Sequence, residues 1–180
     1  KEGIESMVFE MEKDIARLET ITDRFSKIGS KPTLEEANIV ELVSKTIAYL
    51  KSRLPEKIQF NISNEKSELI IPVSTVLLNW VIENICKNAA DAMKGNGEIT
   101  ISITEDISKV ILNITDNGGG IDRSIIKNIF KPGVTSKKRG WGLGLSLSKR
   151  IVEEYHKGSL FVMKSTKRIG TTFTMKLPKK

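Results

Sequence analysis

Histidine and cysteine are almost missing from this chain of 180 residues, which carries one of each. A single cysteine excludes an internal disulfide framework, and Cys86 lies in an apolar run where a packed thiol is expected rather than a reactive one. No histidine precedes His156. No apolar run approaches the ~20 residues that span a bilayer, and no charged-then-apolar signal segment opens the chain. These residues are therefore expected to be cytoplasmic. Because the chain begins abruptly at Lys1, it reads as a fragment whose membrane association, if any, comes through upstream segments. Aromatic residues make up only 6% and do not interleave with the cations as a base-stacking surface requires, so nucleic acid is not an expected partner. Internal repeats and low-complexity segments are also absent.

What is there is a globular composition, 39% hydrophobic and 28% charged, long enough for one domain with a sizeable core and an appended helical element. The net charge of +7 is partly local: Lys131, Lys137, Lys138 and Arg139 crowd one glycine-flanked loop, a distribution that suits phosphate. Near the start, Ile4, Val8, Met11, Ile15, Leu18 and Phe25 follow steps of four and three, with Thr22 filling the gap. This heptad seam predicts one long helix over residues 1–29. A single helix cannot bury its own seam, so a homodimer through this helix, or a partner helix upstream, is expected. Gly29-Ser30-Lys31-Pro32 ends it, and 30–38 reads as a linker to a second domain over 39–180.

In that second domain the spacing predicts a helix from Asn38 to Leu50, a strand from Lys57 to Ile62, and a short strand at Leu69–Ile71 that turns at Pro72. A long helix over Val76–Met93 and a hairpin of Glu98–Thr104 with Lys109–Thr115 follow. Ile125, Ile126, Ile129 and Phe130 suggest a short helix, Lys131–Gly140 a polar loop, Gly142–His156 a helix, and Ser159–Met163 and Thr171–Leu177 the last strands. That order predicts a mixed sheet covered by helices on one face, an α/β sandwich.

Three stretches point to a site. Asp116-Asn117-Gly118-Gly119-Gly120-Ile121 puts a carboxylate at a strand end running into a glycine turn. On the long apolar helix, Asn84, Lys87, Asn88 and Asp91 recur at i, i+3, i+4 and i+7 and so share one face. A plain solvent face would carry the usual Lys/Glu mixture; here two neutral amides stand in it, which favours a ligand. A third stretch, Gly140-Trp141-Gly142-Leu143-Gly144, opens a helix whose N-terminal amides suit an anion. A dinucleotide fold is disfavoured, because the spacing is G-x-G-x-G after a basic loop, and no P-loop motif occurs.

Together these residues resemble a known family. Asn84-Ile-Cys-Lys-Asn88-Ala-Ala-Asp91-Ala, the Asp116–Ile121 turn, Phe130-Lys-Pro-Gly-Val-Thr135-Ser-Lys137, Gly140-Trp-Gly142-Leu143-Gly144-Leu145-Ser146 and Gly170-Thr171-Thr-Phe173 are similar, in order, to the motif boxes of the GHKL (Bergerat-fold) ATPases. Within these, the closest resemblance is to catalytic domains of sensor histidine kinases. Residues 1–29 resemble the second helix of their dimerisation and phosphotransfer hairpin.

The resemblance implies ATP with Mg²⁺. It makes Asp116 the acceptor for the exocyclic amine of adenine, assisted by Thr171, with Gly118, Gly120 and Ile121 letting backbone approach the base and ribose. It makes Asn88 a ligand of Mg²⁺, which takes its other oxygens from phosphate and water. Asn84 would position metal-bound water or the γ-phosphate. Lys87 is either a phosphate contact or a surface lysine, and Asp91 either meets the adenine or ribose end or makes a packing contact. Thr135, Lys137, Lys138 and Arg139 would lie near the phosphates in a lid hinged at Phe130, with Gly140, Gly142, Leu143, Gly144 and Leu145 behind it. Trp141 departs from the family's small residue; shielding the nucleotide, docking on the helical domain and restricting the lid all remain open.

In hydrolytic relatives a Glu general base stands four residues before the metal-binding Asn. Here that position is Asn84, an amide, and Glu83 lies about 100° around the helix. Weak hydrolysis and transfer to another nucleophile are expected, since positioning and charge neutralisation carry most of phosphoryl transfer. His156 falls where the family has a structural histidine, so the phosphoacceptor is expected on an absent upstream helix and this chain alone should not phosphorylate itself. The expected partner is a response-regulator receiver domain of a two-component phosphorelay. The alternatives are a GHKL ATPase or protein-serine kinase using the same site, or a nucleotide-binding scaffold.

Overall fold

The computed structural model describes Met11 and residues 32–180 apart from Ser136, Lys138 and Arg139. The chain divides after Pro32, within the stretch read as a linker. The heptad helix over 1–29, and with it the expectation of a dimer, lies outside the described residues except for Met11.

From Thr33 onward the order is β1 (Glu35–Asn38), α1 (Ile39–Lys51), β2 (Ile58–Asn64), β3 (Ile70–Val73), α2 (Thr75–Ala92), β4 (Gly97–Glu105), β5 (Lys109–Asp116), α3 (Arg123–Ile126), α4 (Gly144–Arg150), β6 (Ser159–Thr166) and β7 (Gly170–Pro178). Five strands form one mixed sheet in the order β2-β4-β5-β7-β6, with β2 and β4 parallel and the other neighbours antiparallel. The expected α/β sandwich is what the chain builds.

The alternation of each strand decides which face is covered. Ile99, Ile101 and Ile103 of β4, Val110, Leu112 and Ile114 of β5, and Phe173, Met175 and Leu177 of β7 all point one way and are buried. Against them α2 sets Leu78, Val81, Ile82, Ile85, Cys86 and Ala89, also buried. Burial pushes the Cys86 thiol up to about 12, which fits a packed rather than a nucleophilic sulfur. The opposite face is polar and laterally bonded: Thr174 donates to Asn113 at 2.7 Å, Asn113 to Ser102 at 3.2 Å, and Thr115 meets Thr172 at 3.0 Å.

Two expectations are corrected here. Glu35–Asn38, placed in the linker, is a strand, and it pairs antiparallel with β3 in a separate two-stranded sheet. The short strand also does not turn at Pro72; it runs through it, with Pro72 opposite Glu36. A two-stranded sheet has free edges on both sides, so a residue without an N–H fits there. Asn38 then ends the strand and caps α1, its Oδ1 accepting from Val40 N–H at 3.1 Å and from Leu69 N–H at 3.2 Å.

After Arg150 the helix widens into a π-turn over Ile151–Tyr155. There the Ile151 carbonyl accepts from both the backbone N–H of His156, at 3.3 Å, and its Nδ1, at 2.9 Å. His156 is buried, and its Nε2 accepts from the Ser74 N–H at 3.0 Å, at the entry of α2. Both ring nitrogens are thus spent on backbone, with the proton on Nδ1, and the histidine clasps two helices. Burial holds the imidazole below its ordinary 6.5. The unfolded chain therefore takes the proton first, so stability present above pH 6.5 is lost as the pH falls through the window beneath it. Thermal melts over that window are expected to show the midpoint falling with acidification, and a flat profile would mean that the imidazole charges freely in the fold.

Candidate functional site

Asp116 is the last residue of β5, on the inner face with Val110, Leu112 and Ile114, and is only 4% exposed. Its Oδ1 accepts from the Gly118 N–H at 2.8 Å. Burial raises its carboxyl above the ordinary 3.8 even though backbone N–H groups of Gly118 and Thr171 pull the other way, and no cation contributes. A carboxylate desolvated without a counter-charge is poised to accept a donor from a ligand. Directly opposite it on β7 stands Thr171, buried on the same inner face.

The glycine turn packs on the β6–β7 connection. Gly120 has φ +71°, and a Cβ there would run into the Thr166 carbonyl oxygen. Arg168 N–H donates to the Gly119 carbonyl at 2.9 Å, and Ile121 N–H donates to Ser165 Oγ at 2.8 Å. The sequence reading credits Gly120 to the approach of a base; the chain's own β6–β7 turn already requires it.

Across from the acid, the polar stripe of α2 emerges on one side as expected, Asn84 and Asn88 half-buried, Lys87 and Asp91 exposed. Lys137 reaches it from the loop: its Nζ donates to Asn88 Oδ1 at 2.9 Å and pairs with Asp91. Lys87 pairs with Glu83 at 2.9 Å along the helix, so the one acid near the family's general-base position is already neutralised in part. Asn84 has a holding task. Its Nδ2 donates to Ser148 Oγ at 2.9 Å, and a Cβ at Gly144 would strike its Oδ1, so this amide and that glycine let α4 lie against α2.

Phe130, at the start of the loop, packs edge-on to Phe173 with centroids 6.3 Å apart and has the Lys149 ammonium 4.9 Å from its ring centroid. Within the loop, Thr135 Oγ1 accepts from the Lys137 N–H at 3.1 Å, and Gly140 N–H donates to the Lys137 carbonyl at 3.2 Å. Lys138 and Arg139 lie outside the described residues. The helix begins at Gly144 rather than Gly142, because Gly142 holds φ +65°, outside helical space; Leu143 and Leu145 flank the start, half-buried. Trp141 is 60% exposed.

The candidate residues thus fall into two groups. Asp116, Gly118, Gly120, Ile121 and Thr171 gather at the ends of β5 and β7, while Asn84, Asn88 and Asp91 meet the loop from Phe130 to Leu145. Two residues that hold candidate site residues in place were not found from the sequence: Ser148, which holds Asn84, and Ser165, which joins Ile121 to Thr171. Isolated serines carry no pattern, so no sequence signal marks them.

Among the described residues no group of three or more His, Cys, Asp or Glu could hold a metal. The donor offered by Asn88 is one neutral amide oxygen. That fits Mg²⁺ bound chiefly by phosphate and water, and not an ion caged by protein.

The α/β sandwich carries its acid, its amides and Lys137 of the loop on the helix-covered side of the sheet. The chain belongs to the histidine kinase-, DNA gyrase B- and HSP90-like ATPase family, whose model matches residues 74–180. Sporulation kinase D of Bacillus subtilis (strain 168) is 33% identical over 173 residues, 93% of this chain but 34% of the relative, so the chain spans about a third of that protein's length. The catalytic domain of histidine kinase ThkA, in a nucleotide-free form, superposes with a TM-score of 0.75 at 26% identity, covering 82% of this chain and 97% of that one. Histidine kinase ThkA in complex with response regulator protein TrrA shares the fold at a TM-score of 0.76 and 24% identity, over 94% of this chain and 49% of that one. Among the described residues no helix is long and apolar enough to cross a membrane.

Proposed function

We propose that this chain is the ATP-binding catalytic region of a sensor histidine kinase, which passes the γ-phosphoryl of MgATP to a histidine outside these 180 residues for relay to a response-regulator aspartate. The observation that carries this reading is Asp116, a buried carboxylate with only N–H partners, facing Thr171 at the mouth of a glycine turn. In this reading Asp116 accepts from the exocyclic amine of adenine, where guanine would present a carbonyl. Asn88 holds Mg²⁺, which supplies charge neutralisation at the phosphates. Thr135 and Lys137 line the phosphate side. Lys87, engaged with Glu83, is better read as a surface ion pair than as a phosphate contact.

Transfer rather than hydrolysis is favoured because Asn84 cannot take a proton from water and Glu83 is held by Lys87. The single histidine of the chain, His156, is buried with both nitrogens engaged and is no acceptor. The complex solved for histidine kinase ThkA with TrrA supports a receiver domain as the partner, and the heptad seam supports a homodimer through residues 1–29.

The test is γ-labelled ATP with Mg²⁺ on a form of the protein extended upstream through the partner helix. Label on protein that is acid-labile and base-stable is the expected result, marking phosphohistidine. Free phosphate with unlabelled protein would replace the kinase reading by a hydrolytic one with Glu83 as base.

A further inference from the structure

We infer that Ser165 supports, as donor to Thr171, the hydrogen bond that Thr171 offers to the nucleotide base, and is thereby a specificity-determining residue; the inference rests on the adenine reading above. A serine hydroxyl has one proton and two lone pairs. One lone pair of Ser165 is taken by the Ile121 N–H at 2.8 Å. Its proton has two acceptors in reach, Thr171 Oγ1 at 3.0 Å and the Gly170 carbonyl at 3.5 Å. Either hydroxyl can donate across the 3.0 Å contact; once Thr171 gives its proton to a base, Ser165 is the donor there. Thr171 is then the acceptor toward Ser165, and its own proton is the one left for the ligand.

That polarity matters because Thr171 lies opposite Asp116 in register and on the same inner face. Asp116 offers an acceptor and Thr171 a donor, side by side. The edge of adenine that answers both has a donor amine at C6 and an acceptor at N1; guanine has the reverse at each. Ser165 therefore adds discrimination at N1 to that of Asp116 at C6, acting through Thr171 without touching the base. It also ties the choice to the position of the Ile121 turn.

The experiment is calorimetric binding of ADP, 1-deaza-ADP and GDP, without metal, to the whole chain and to its Ser165→Ala, Ser165→Thr and Thr171→Val variants. The 1-deaza compound keeps the amine and lacks only the N1 acceptor. The unaltered chain is expected to prefer ADP to 1-deaza-ADP about tenfold, the scale of one neutral hydrogen bond. Ser165→Ala should shrink that ratio to about twofold, Thr171→Val should abolish it, and Ser165→Thr should restore it.

Equal weakening of ADP and 1-deaza-ADP in Ser165→Ala, with the ratio unchanged, would overturn the inference and leave Ser165 as a brace for Ile121. If Ser165→Ala does not fold, persistence of the ratio in Thr171→Val would overturn it instead. Failure of the unaltered chain to separate ADP from GDP would remove the adenine reading itself, and the inference with it.

Discussion

Asn88→Ala is expected to abolish Mg²⁺-dependent phosphoryl transfer, a loss of about 100-fold or more, with metal-free ADP binding little changed. A metal ion at a transferring phosphoryl is worth several kcal/mol, and each ~1.4 kcal/mol is tenfold in rate. Asn88 presents the amide oxygen on the α2 face that Lys137 approaches, and no acidic cluster among the described residues could take over the ion. Labelling rates on the form extended upstream through the partner helix, and ADP titrations with and without Mg²⁺, separate the two effects. Retained transfer would remove the metal role, and an equal loss of metal-free ADP binding would mean that the amide touches the nucleotide directly. Lys137 keeps its ion pair with Asp91 in the variant, so the loop retains one of its two ties to α2.

Asp116→Asn should give opposite signs in two assays. Affinity for ADP is expected to fall by ~1.5–3 kcal/mol, the worth of a hydrogen bond to a charged group. The nucleotide-free fold should become more stable. Burial raises the Asp116 carboxyl above 3.8 in the fold, so the folded state holds its proton more tightly than the unfolded chain does. Stability is then lost as the pH rises through the window above 3.8, and at neutral pH the ionised group is a net burden that an amide removes. The Gly118 N–H keeps an oxygen to bond in either case. Thermal melts without ligand and calorimetric titrations with ADP check both. Unchanged ADP affinity would end the adenine role of Asp116, and a lower melting point would mean that the charged bond to Gly118 outweighs burial.

Most of the sheet and its helix layer was legible because the patterns are long. Ile99, Ile101, Ile103 and Val110, Leu112, Ile114 alternate without interruption, and α2 keeps its apolar positions for five turns, so period alone assigns them. Glu35–Asn38 was illegible for the opposite reason: Glu-Glu-Ala-Asn has neither alternation nor β-formers, and its state is decided by β3 lying beside it. At the site, the acid, the amides and the glycines were legible through their motifs. Their partners were not. Ser148 is set by Asn84 on another helix, and Ser165 by Ile121 beyond the glycine turn, separations over which a sequence shows no correlation. Likewise the glycines announce themselves, but whether ligand or chain fills the space they leave requires coordinates: at Gly144 it is the Asn84 amide, at Gly120 the Thr166 carbonyl.

The pairing of Asp116 with Thr171 is one rung of an antiparallel ladder that begins at Lys109 and Pro178. In the adenine reading proposed above, the choice of base is thereby written in strand alignment as much as in the two side chains. One residue inserted in β5 ahead of Asp116 would turn the carboxylate to the polar face, among Thr115 and Asn113, and leave Thr171 facing a different neighbour. Insertions in the turn between Thr166 and Gly170 leave that ladder in step. Drift in the family should therefore be nearly frozen in the count of residues along the two central strands, and the turn after Thr166 is held as well, because its Arg168 N–H bonds the Gly119 carbonyl and its Thr166 carbonyl packs on Gly120.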